Sequence, residues 1–260
     1  MKNLNVLAKS KGVLLFAFNT DQVDYVSIAK QAARLIAHTL QLPTTIITDS
    51  EVDNQFKNYR TGYASGTTWR NGDRYRAYEL SPYDETILLD SDYLQLDRSL
   101  LTMLATTNDY RLMHNNRSPR QSMSGDMGQI SLDYVWATAI TFKRTEKTKL
   151  LFDLVGRIQR NYTYYQKLYN LRERNFRNDY AFAIANNILS GYTTDRSQGV
   201  PWSMLTFDRP ISTVEIKGSM LVVREQEQAH VIPRQNIHVM DKDYLQSAEY
   251  NKFVDAICQS

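Results

Sequence analysis

The chain has 260 residues, of which 42% are hydrophobic and 23% are charged, and these values exclude a fibrous or a disordered protein. Its single cysteine, Cys258, excludes an internal disulfide and a cluster of thiolate ligands around a metal ion. The first residues contain no apolar segment typical of a signal peptide, and no run approaches the roughly 18 apolar residues that span a bilayer, so we expect a soluble cytoplasmic protein.

The positive charge is unevenly placed along the chain. The formal net charge is +3, but the stretch from Arg111 to Arg177 contains 13 Lys and Arg residues against 5 Asp and Glu residues. The remainder of the chain therefore carries a net negative charge. Such a split indicates that one face of the protein meets a polyanion.

The first 50 residues predict a strand, a helix and a second strand. Residues 12–18 form a continuous apolar run, which is typical of a parallel strand buried on both faces. The polar residues 19–21 then provide a strand exit and a helix cap. Apolar residues recur at helical spacing from about 22 to 41, and the short run 44–48 predicts the second strand. We therefore expect a β-α-β unit with parallel strands.

The rest of the chain continues this alternation. After a polar stretch, residues 86–89 predict a third buried strand that ends at the triplet Asp90-Ser91-Asp92. Further elements are predicted as a helix at 98–106, strands at 110–114 and 135–142, a loop at 118–128, helices at 146–170 and 179–189, and short strands and turns over 201–260. We infer a single α/β domain with an open, twisted and mostly parallel sheet flanked by helices.

Asp90 and Asp92 are the strongest chemical signal in the sequence. They follow a buried strand at a spacing of two, so their side chains point to the same side. Ligands of open α/β sheets gather at the carboxyl ends of the strands, where this pair lies. Two carboxylates this close repel each other unless a cation holds them, and hard oxygen ligands prefer Mg²⁺ or Mn²⁺. The alternative is an acidic turn that caps a helix.

The residues around this pair carry a family resemblance. Residues 81–94, Ser-Pro-Tyr-Asp-Glu-Thr-Ile-Leu-Leu-Asp-Ser-Asp-Tyr-Leu, resemble the Asp-x-Asp segment of GT-A fold glycosyltransferases, including the glycogenin-like branch. Residues 12–49 look like the nucleotide-binding half of the same fold, and the whole pattern also resembles small glycosyltransferases of tailed phages. The resemblance implies one GT-A-like domain with a nucleotide-binding half at 12–110 and an acceptor-binding half at 111–260.

The same resemblance implies an enzyme that moves a sugar from a nucleotide-sugar donor to an acceptor hydroxyl with the help of Mn²⁺ or Mg²⁺, in the host cytoplasm if a phage encodes it. The residues that it implies for nucleotide-sugar binding are Asn19, Thr20, Asp49, Arg74 and Ser91. Asp49 could instead cap a turn, and Arg76 is a rival of Arg74.

The metal ligands implied by the resemblance are Asp90, Asp92 and a histidine from near the C-terminus, His238. His230 is a second candidate for the third ligand. The glycogenin-like signature His-x-x-Gly-x-x-Lys-Pro-Trp is absent from the sequence, and an ordinary strand histidine is the alternative.

Asn178 and Asp179 are the candidate catalytic residues. They open a predicted helix after a basic loop, which resembles the position where related enzymes place an acidic or amide residue that faces the sugar. A carboxylate there could act as general base or stabilise oxocarbenium-like charge. A simple helix N-cap is the alternative, and retention or inversion of configuration stays open.

Residues 156–177 combine basic side chains with aromatic ones. The basic residues of this segment are Arg157, Arg160, Lys167, Arg172, Arg174 and Arg177. Basic side chains track phosphates and aromatic faces stack on bases, so the segment predicts a nucleic-acid surface. With the phage resemblance, the acceptor would be double-stranded DNA with a hydroxymethylated base. The alternatives are a solvated helix whose tyrosines pack inward, and an acceptor that is a glycan, a protein or a small molecule.

A nucleotidyltransferase is the alternative enzyme class, since it also combines an α/β sheet, a divalent metal and a nucleotide. That class would favour a glycine-rich phosphate loop after the first strand, and Asn19-Thr20-Asp21 is not one. The sequence leaves the oligomeric state open.

Overall fold

A five-stranded sheet forms the centre of the protein. The computed structural model describes residues 9–50, 72–123, 126–127, 132–172, 175–193, 196–226 and 228–259. The strands are β1 (Lys11–Phe16), β2 (Thr44–Ile47), β3 (Glu85–Leu89), β4 (Tyr93–Leu94), β5 (Tyr110–Met113), β6 (Asn116–Arg117), β7 (Asp126–Met127), β8 (Leu132–Asp133), β9 (Trp136–Lys143), β10 (Met204–Phe207), β11 (Ile211–Lys217), β12 (Met220–Glu225), β13 (Gln228–Pro233) and β14 (Ile237–Val239).

The helices lie on both faces of this sheet. They are α1 (Tyr25–Leu40), α2 (Ala77–Leu80), α3 (Ser99–Leu104), α4 (Glu146–Arg160), α5 (Tyr162–Leu168), α6 (Asn178–Leu189), α7 (Lys242–Leu245) and α8 (Ala248–Cys258), and a 3-10 turn over Arg74–Arg76 precedes α2. Among the residues that the structure describes, no helix combines the length and the apolar character needed to cross a bilayer.

The strand order of the central sheet confirms the predicted fold class. The order is β2-β1-β3-β9-β5. β1 is parallel to β2 and β3, as the predicted β-α-β unit requires. β9 is antiparallel to β3 and β5, so it runs against the other strands of a mostly parallel sheet. The predicted division into halves at residue 110 remains a prediction. Strand β9, which follows residue 110 in the chain, belongs to the same central sheet as β1, β2 and β3.

The core explains why β1 is apolar throughout. Val13, Leu14 and Leu15 are fully buried, and alternate residues of a strand point to opposite faces. Leu14 packs in the cluster formed with α4 and α6, whereas Val13 and Leu15 pack in the cluster formed with α1 and α3. β1 is therefore covered on both faces.

Helix α1 begins later than the sequence predicts. Asp24, rather than residues 19–21, is the N-cap, and its Oδ1 accepts a hydrogen bond from the Ser27 N–H at 3.0 Å. The helix ends at Gln41, which adopts the left-handed conformation with φ 57°, two residues before Pro43.

Two smaller sheets and the two-stranded pair β7-β8 complete the fold of the described residues. The second sheet has the order β4-β14-β10-β6, and β11, β12 and β13 form an antiparallel sheet of three strands. Helix α8 packs against α1 and β11. These elements share an apolar cluster that includes Ile28, Leu35, Phe207 and Phe253.

Two helix predictions were wrong. The helix predicted at 146–170 is two helices, because the backbone of Asn161 leaves the helical conformation between α4 and α5. Residues 201–260 were predicted as strands and turns but also contain α7 and α8. In α8, Tyr250, Phe253, Val254 and Ile257 are buried, which is the i, i+3, i+4, i+7 spacing of an amphipathic helix.

Candidate active site

The acidic triplet joins two sheets. Asp90 directly follows β3, and its backbone N–H donates to the carbonyl of Thr138 in β9 at 2.9 Å. Two residues later, the carbonyl of Asp92 accepts a hydrogen bond from the Val239 N–H in β14 at 3.0 Å. Ser91 between them is buried. The triplet therefore lies at the carboxyl edge of the central sheet and is also fixed to the second sheet.

Asp90 pairs with a buried arginine. Nη1 of Arg74 contacts Oδ1 of Asp90, and the Arg74 side chain is 3% exposed against 30% for Asp90. The Nε and Nη2 atoms of Arg74 are buried and have no hydrogen-bond partner among the described residues. Buried donors without acceptors are costly, so they favour an anionic ligand beside Asp90.

Asp92 lies between a lysine and a histidine. Nζ of Lys242 is 2.5 Å from Oδ2 of Asp92, and Nε2 of His238 is 3.5 Å from Oδ1. Burial opposes the charge of Asp92, but Lys242 and His238 outweigh it and hold the pKa of this carboxyl well below its usual range. Asp92 is therefore ionised at neutral pH.

Thr206 orients the ring of His238. Nδ1 of His238 is 3.2 Å from Oγ1 of Thr206, and that hydroxyl donates to Oδ1 of Asn116 at 2.8 Å. Because that hydroxyl has one proton, Nδ1 donates to Thr206, and Nε2 faces Oδ1 of Asp92. Oδ1 of Asp92 is buried without a hydrogen-bond partner in the described part of the chain. Either a proton on Nε2 or a metal ion would bridge these two atoms.

Asp92 and His238 fit the requirements of metal ligands. Ligand atoms bind a divalent ion at about 2.1 Å, so two neighbouring ligands of one ion lie about 3 Å apart. The 3.5 Å between Oδ1 and Nε2 is close to that separation. The hydrogen bond at Nδ1 is the outer contact that metal-binding histidines usually have. Asp90 is held by Arg74 instead, and the described residues contain no group of three or more His, Cys, Asp or Glu that could hold an ion.

Asp179 reaches the same edge of the sheet from α6. Its Oδ1 accepts a hydrogen bond from the Ala137 N–H at 2.9 Å, and its Oδ2 is 3.2 Å from Nη2 of Arg177. Burial raises the pKa of the Asp179 carboxyl, and the charge of nearby Asp90 also raises it, while Arg177 lowers it. The side chain thus contacts β9 and does not cap its own helix. Asn178, the first residue of α6, is buried beside it.

Three aromatic residues surround Asp179, and we call them the aromatic corner: Tyr134, Trp136 and Tyr180. The ring centroids of Tyr134 and Trp136 are 5.0 Å apart at an angle of 58°, and those of Tyr134 and Tyr180 are 5.8 Å apart at 89°. Burial and, after it, the nearby charge of Asp179 raise the pKa of the Tyr134 hydroxyl, and the guanidinium of Arg177 lies 5.9 Å from the centroid of Tyr180. All three rings are partly exposed.

The residues predicted to bind the nucleotide lie at strand ends, but their side chains have local contacts. Oδ1 of Asn19 accepts a hydrogen bond from the Val26 N–H at 2.9 Å, and Oγ1 of Thr20 accepts one from the Val23 N–H at 3.0 Å. Asp49 is exposed after β2. Their role in nucleotide binding stays a prediction.

The rival candidates lie elsewhere. Nε2 of His230 is 3.1 Å from Oε2 of Glu225, within the three-stranded sheet. Nε of Arg76 is 3.6 Å from Glu79, one turn further along the chain. His238 and Arg74 are therefore the members of each pair that contact the acidic triplet.

The basic segment 156–177 divides between the core and the surface. Tyr162, Tyr165 and Tyr169 are buried in the core, which contradicts their predicted stacking on bases, whereas Tyr164 is 63% exposed. Arg157, Arg160, Lys167 and Arg172 are exposed, and Arg160 lies over the ring of Tyr75. Arg177 pairs with Asp179, and Arg174 is outside the described residues. The role of these basic residues in nucleic-acid binding stays a prediction.

Lys242 and the aromatic corner are the functional candidates that the sequence analysis missed. Lys242 follows His238 by four residues, so a basic residue near a predicted ligand was a usable signal. Tyr134 and Trp136 are two residues apart at the start of a strand, a spacing that places both rings on one side. Tyr180 directly follows Asp179 in the sequence.

Comparisons with known proteins give only distant likenesses. No family model matches the chain, and no curated protein matches it. It is similar to the apo form of the glycosyltransferase GlyE of Streptococcus pneumoniae TIGR4, with 12% identity over 74% of this chain and 45% of that one and a TM-score of 0.40. It is also similar to TarS 1-349 of S. aureus in complex with UDP-GlcNAc, with 14% identity over 55% and 47% of the two chains and a TM-score of 0.35.

A third solved structure belongs to another enzyme class. This is 4-diphosphocytidyl-2C-methyl-D-erythritol synthase from Anaerococcus prevotii DSM 20548, with 10% identity over 76% of this chain and 86% of that one and a TM-score of 0.37. The chain spans less than half the length of the two glycosyltransferases. Likenesses at this level carry no argument, so the fold rests on the strand order and the function rests on the site.

Proposed function

We propose that this protein is a nucleotide-sugar-dependent glycosyltransferase with a GT-A-like fold. The observation that supports the proposal most directly is the placement of Asp92 between Lys242 and His238 at the carboxyl edge of a mostly parallel sheet. Nucleotide ligands of open α/β sheets bind at that edge. The arrangement supplies both a cation for phosphate oxygens and ligand atoms for a metal ion.

The leaving diphosphate of a sugar donor requires positive charge as the glycosidic bond breaks. Lys242 and Arg74 supply it from the two ends of the acidic triplet, and phosphate oxygens would satisfy the unused donors of Arg74. We propose that Asp92 and His238 hold Mn²⁺ or Mg²⁺, with Asp90 nearby. When bound, such an ion supplies Lewis-acid stabilisation of the phosphate oxygens.

Asp179 is the proposed catalytic carboxylate. Its pKa is raised by burial, which makes it a better proton acceptor once ionised, and Asp90 is close enough to affect its charge. A carboxylate there would receive the proton of an acceptor hydroxyl or stabilise positive charge on the donor sugar. The Ala137 N–H and Arg177 hold it in place.

The nucleotidyltransferase alternative is less well supported by the site. The loop between β1 and α1 contains no glycine, and Asn19 and Thr20 use their side chains to hold the turn before α1. A phosphate loop would instead direct backbone N–H groups at the nucleotide.

Donor hydrolysis tests the proposal. We expect the protein to hydrolyse at least one member of a panel of nucleotide sugars with Mn²⁺, and EDTA to abolish the reaction. Asp92→Asn should lower the rate by about 100-fold or more, because it weakens both the metal site and the Lys242 contact. Free sugar and nucleoside diphosphate would be measured by chromatography.

Asp153→Asn is a matched control, since Asp153 is exposed on α4 and pairs with Lys149. Its rate should equal that of the wild type. Hydrolysis that survives both EDTA and Asp92→Asn would refute the metal assignment, and a lack of turnover with every donor would refute the proposed function.

A further inference from the structure

The aromatic corner lies beyond the acidic triplet along β9. Thr138 accepts the backbone hydrogen bond of Asp90, and Tyr134 is four residues earlier in the chain. At about 3.3 Å per residue, an extended chain places Tyr134 up to about 13 Å from the level of Asp90. Asp179 lies between these levels, because it contacts Ala137 and is affected by the charge of Asp90. Asp179 is therefore close both to the acidic triplet and to the start of β9, where the aromatic corner lies.

The shape of the corner fits a sugar ring better than a nucleobase. A flat base is held best between parallel faces, but the rings of Trp136 and Tyr180 are inclined to Tyr134 by 58° and 89°. Inclined, partly exposed rings offer apolar faces in more than one direction, which suits the C–H face of a puckered sugar ring better than a flat base.

The polar groups at this surface match the hydroxyls of a sugar. Nε1 of Trp136 is a buried donor with no hydrogen-bond partner in the described ranges of the chain. Asp179 provides carboxylate oxygens, and Arg177 provides donors beside the ring of Tyr180. A hydroxyl that bonds to Nε1 would remove the cost of a buried, unused N–H.

We propose that Tyr134, Trp136 and Tyr180 form the acceptor subsite and that the acceptor is a carbohydrate, one of whose hydroxyls faces Asp179. The inference rests on the proposed glycosyltransferase function. It differs from the expected DNA acceptor: of the tyrosines in the basic segment, Tyr162, Tyr165 and Tyr169 are buried in the core, and Tyr164 alone is exposed.

Transfer assays and binding assays together test the acceptor class. The donor that the protein hydrolyses would be offered with a panel of methyl glycosides and disaccharides and, separately, with duplex DNA containing hydroxymethylcytosine, and products would be detected by mass spectrometry. Saturation-transfer NMR would measure binding of the same saccharides without any donor. We expect a saccharide of the panel to bind and to be glycosylated, and the DNA to be inert.

Two pairs of variants show whether the corner is responsible. Tyr180→Ala should raise the KM for the saccharide about tenfold and weaken its NMR signal, whereas Tyr180→Phe, which keeps the ring, should stay within about twofold of the wild type. Trp136→Phe should raise the same KM about three- to tenfold through the loss of one donor. Tyr192→Ala is the control, because Tyr192 is 72% exposed and outside the corner.

The outcomes separate this inference from the proposed function. Glycosylation of the DNA with all saccharides inert would overturn the inference and leave the glycosyltransferase proposal intact. An unchanged KM in Tyr180→Ala, or no saccharide binding by NMR, would also overturn it. If no donor is hydrolysed, the proposed function fails, and saccharide binding that is lost in Tyr180→Ala would still support a carbohydrate site.

Discussion

Charged residues are organised differently at the edge of the central sheet and along helices α4 and α5. At the edge, Asp90 and Asp92 each contact a basic side chain from a separate part of the chain, and Asp179 contacts its near neighbour Arg177. Along α4 and α5, Arg157 and Lys167 are exposed without converging on a common partner. Neighbouring strand ends bring distant residues together, whereas a helix spreads its polar residues around an exposed face. We therefore expect the catalytic site at the edge of the central sheet.

The largest effect should come from Asp179. We expect Asp179→Asn to lower kcat by about 100-fold or more, because the amide cannot accept the proton of the acceptor. Steady-state transfer kinetics would measure the effect, with Asp153→Asn as control. A kcat within about threefold of the wild type would show that Asp179 is not the catalytic carboxylate.

Lys242 should give the next largest effect. Lys242→Ala removes a cation that lies 2.5 Å from Asp92, so donor affinity should fall about 10- to 100-fold. Calorimetric titration with a nucleotide sugar would measure the change. Lys252→Ala is the matched control, since Lys252 is exposed on α8 and pairs with Glu249. Equal affinity in both variants would contradict the proposed phosphate contact.

Arg177 should shift the pH dependence of transfer. Arg177 lowers the pKa of Asp179, so Arg177→Gln should raise that pKa further. Because the reaction requires the ionised carboxylate, the acidic limb of kcat/KM should move to higher pH. If the acidic limb stays in place or moves to lower pH, Asp179 is not the group whose ionisation controls the rate.

The smallest effect on transfer is expected from substitutions of the basic residues on helices α4 and α5. Arg157→Ala combined with Lys167→Ala should change transfer to a saccharide by less than about twofold, because both side chains are exposed on α4 and α5. The same kinetic assay measures it. A loss of activity comparable with that of Lys242→Ala would show that the basic segment does bind the substrate.

The sequence predicted the position of the acidic triplet because that position depends on local pattern. An apolar run of strand length followed by Asp90 and Asp92 places both carboxylates at a strand end without knowledge of the rest of the fold. The fold class followed from the same alternation of buried strands and amphipathic helices. The sequence also predicted that a helix opens at Asn178 and Asp179, as α6 does, while the catalytic role of Asp179 stays a prediction.

The partners of these carboxylates depend on long-range topology. Lys242 is 150 positions from Asp92, and β14 has to pair with β4 before the two side chains meet. The aromatic corner joins β9 to α6 in the same way. Tyr162, Tyr165 and Tyr169, in and directly after α5, were predicted to stack on bases because a buried face and a base-stacking face have the same composition. Helical periodicity at Tyr162, Tyr165 and Tyr169 was the signal for burial.

The attachment of the triplet to both sheets has a consequence for ligand binding. Asp90 is anchored to β9 through one backbone hydrogen bond and Asp92 to β14 through another, so the distance between the two carboxylates depends on how the sheets sit against each other. A ligand that binds both side chains would hold the two sheets together at that junction. Amide hydrogen exchange should therefore slow in β4 and β14 when the donor binds.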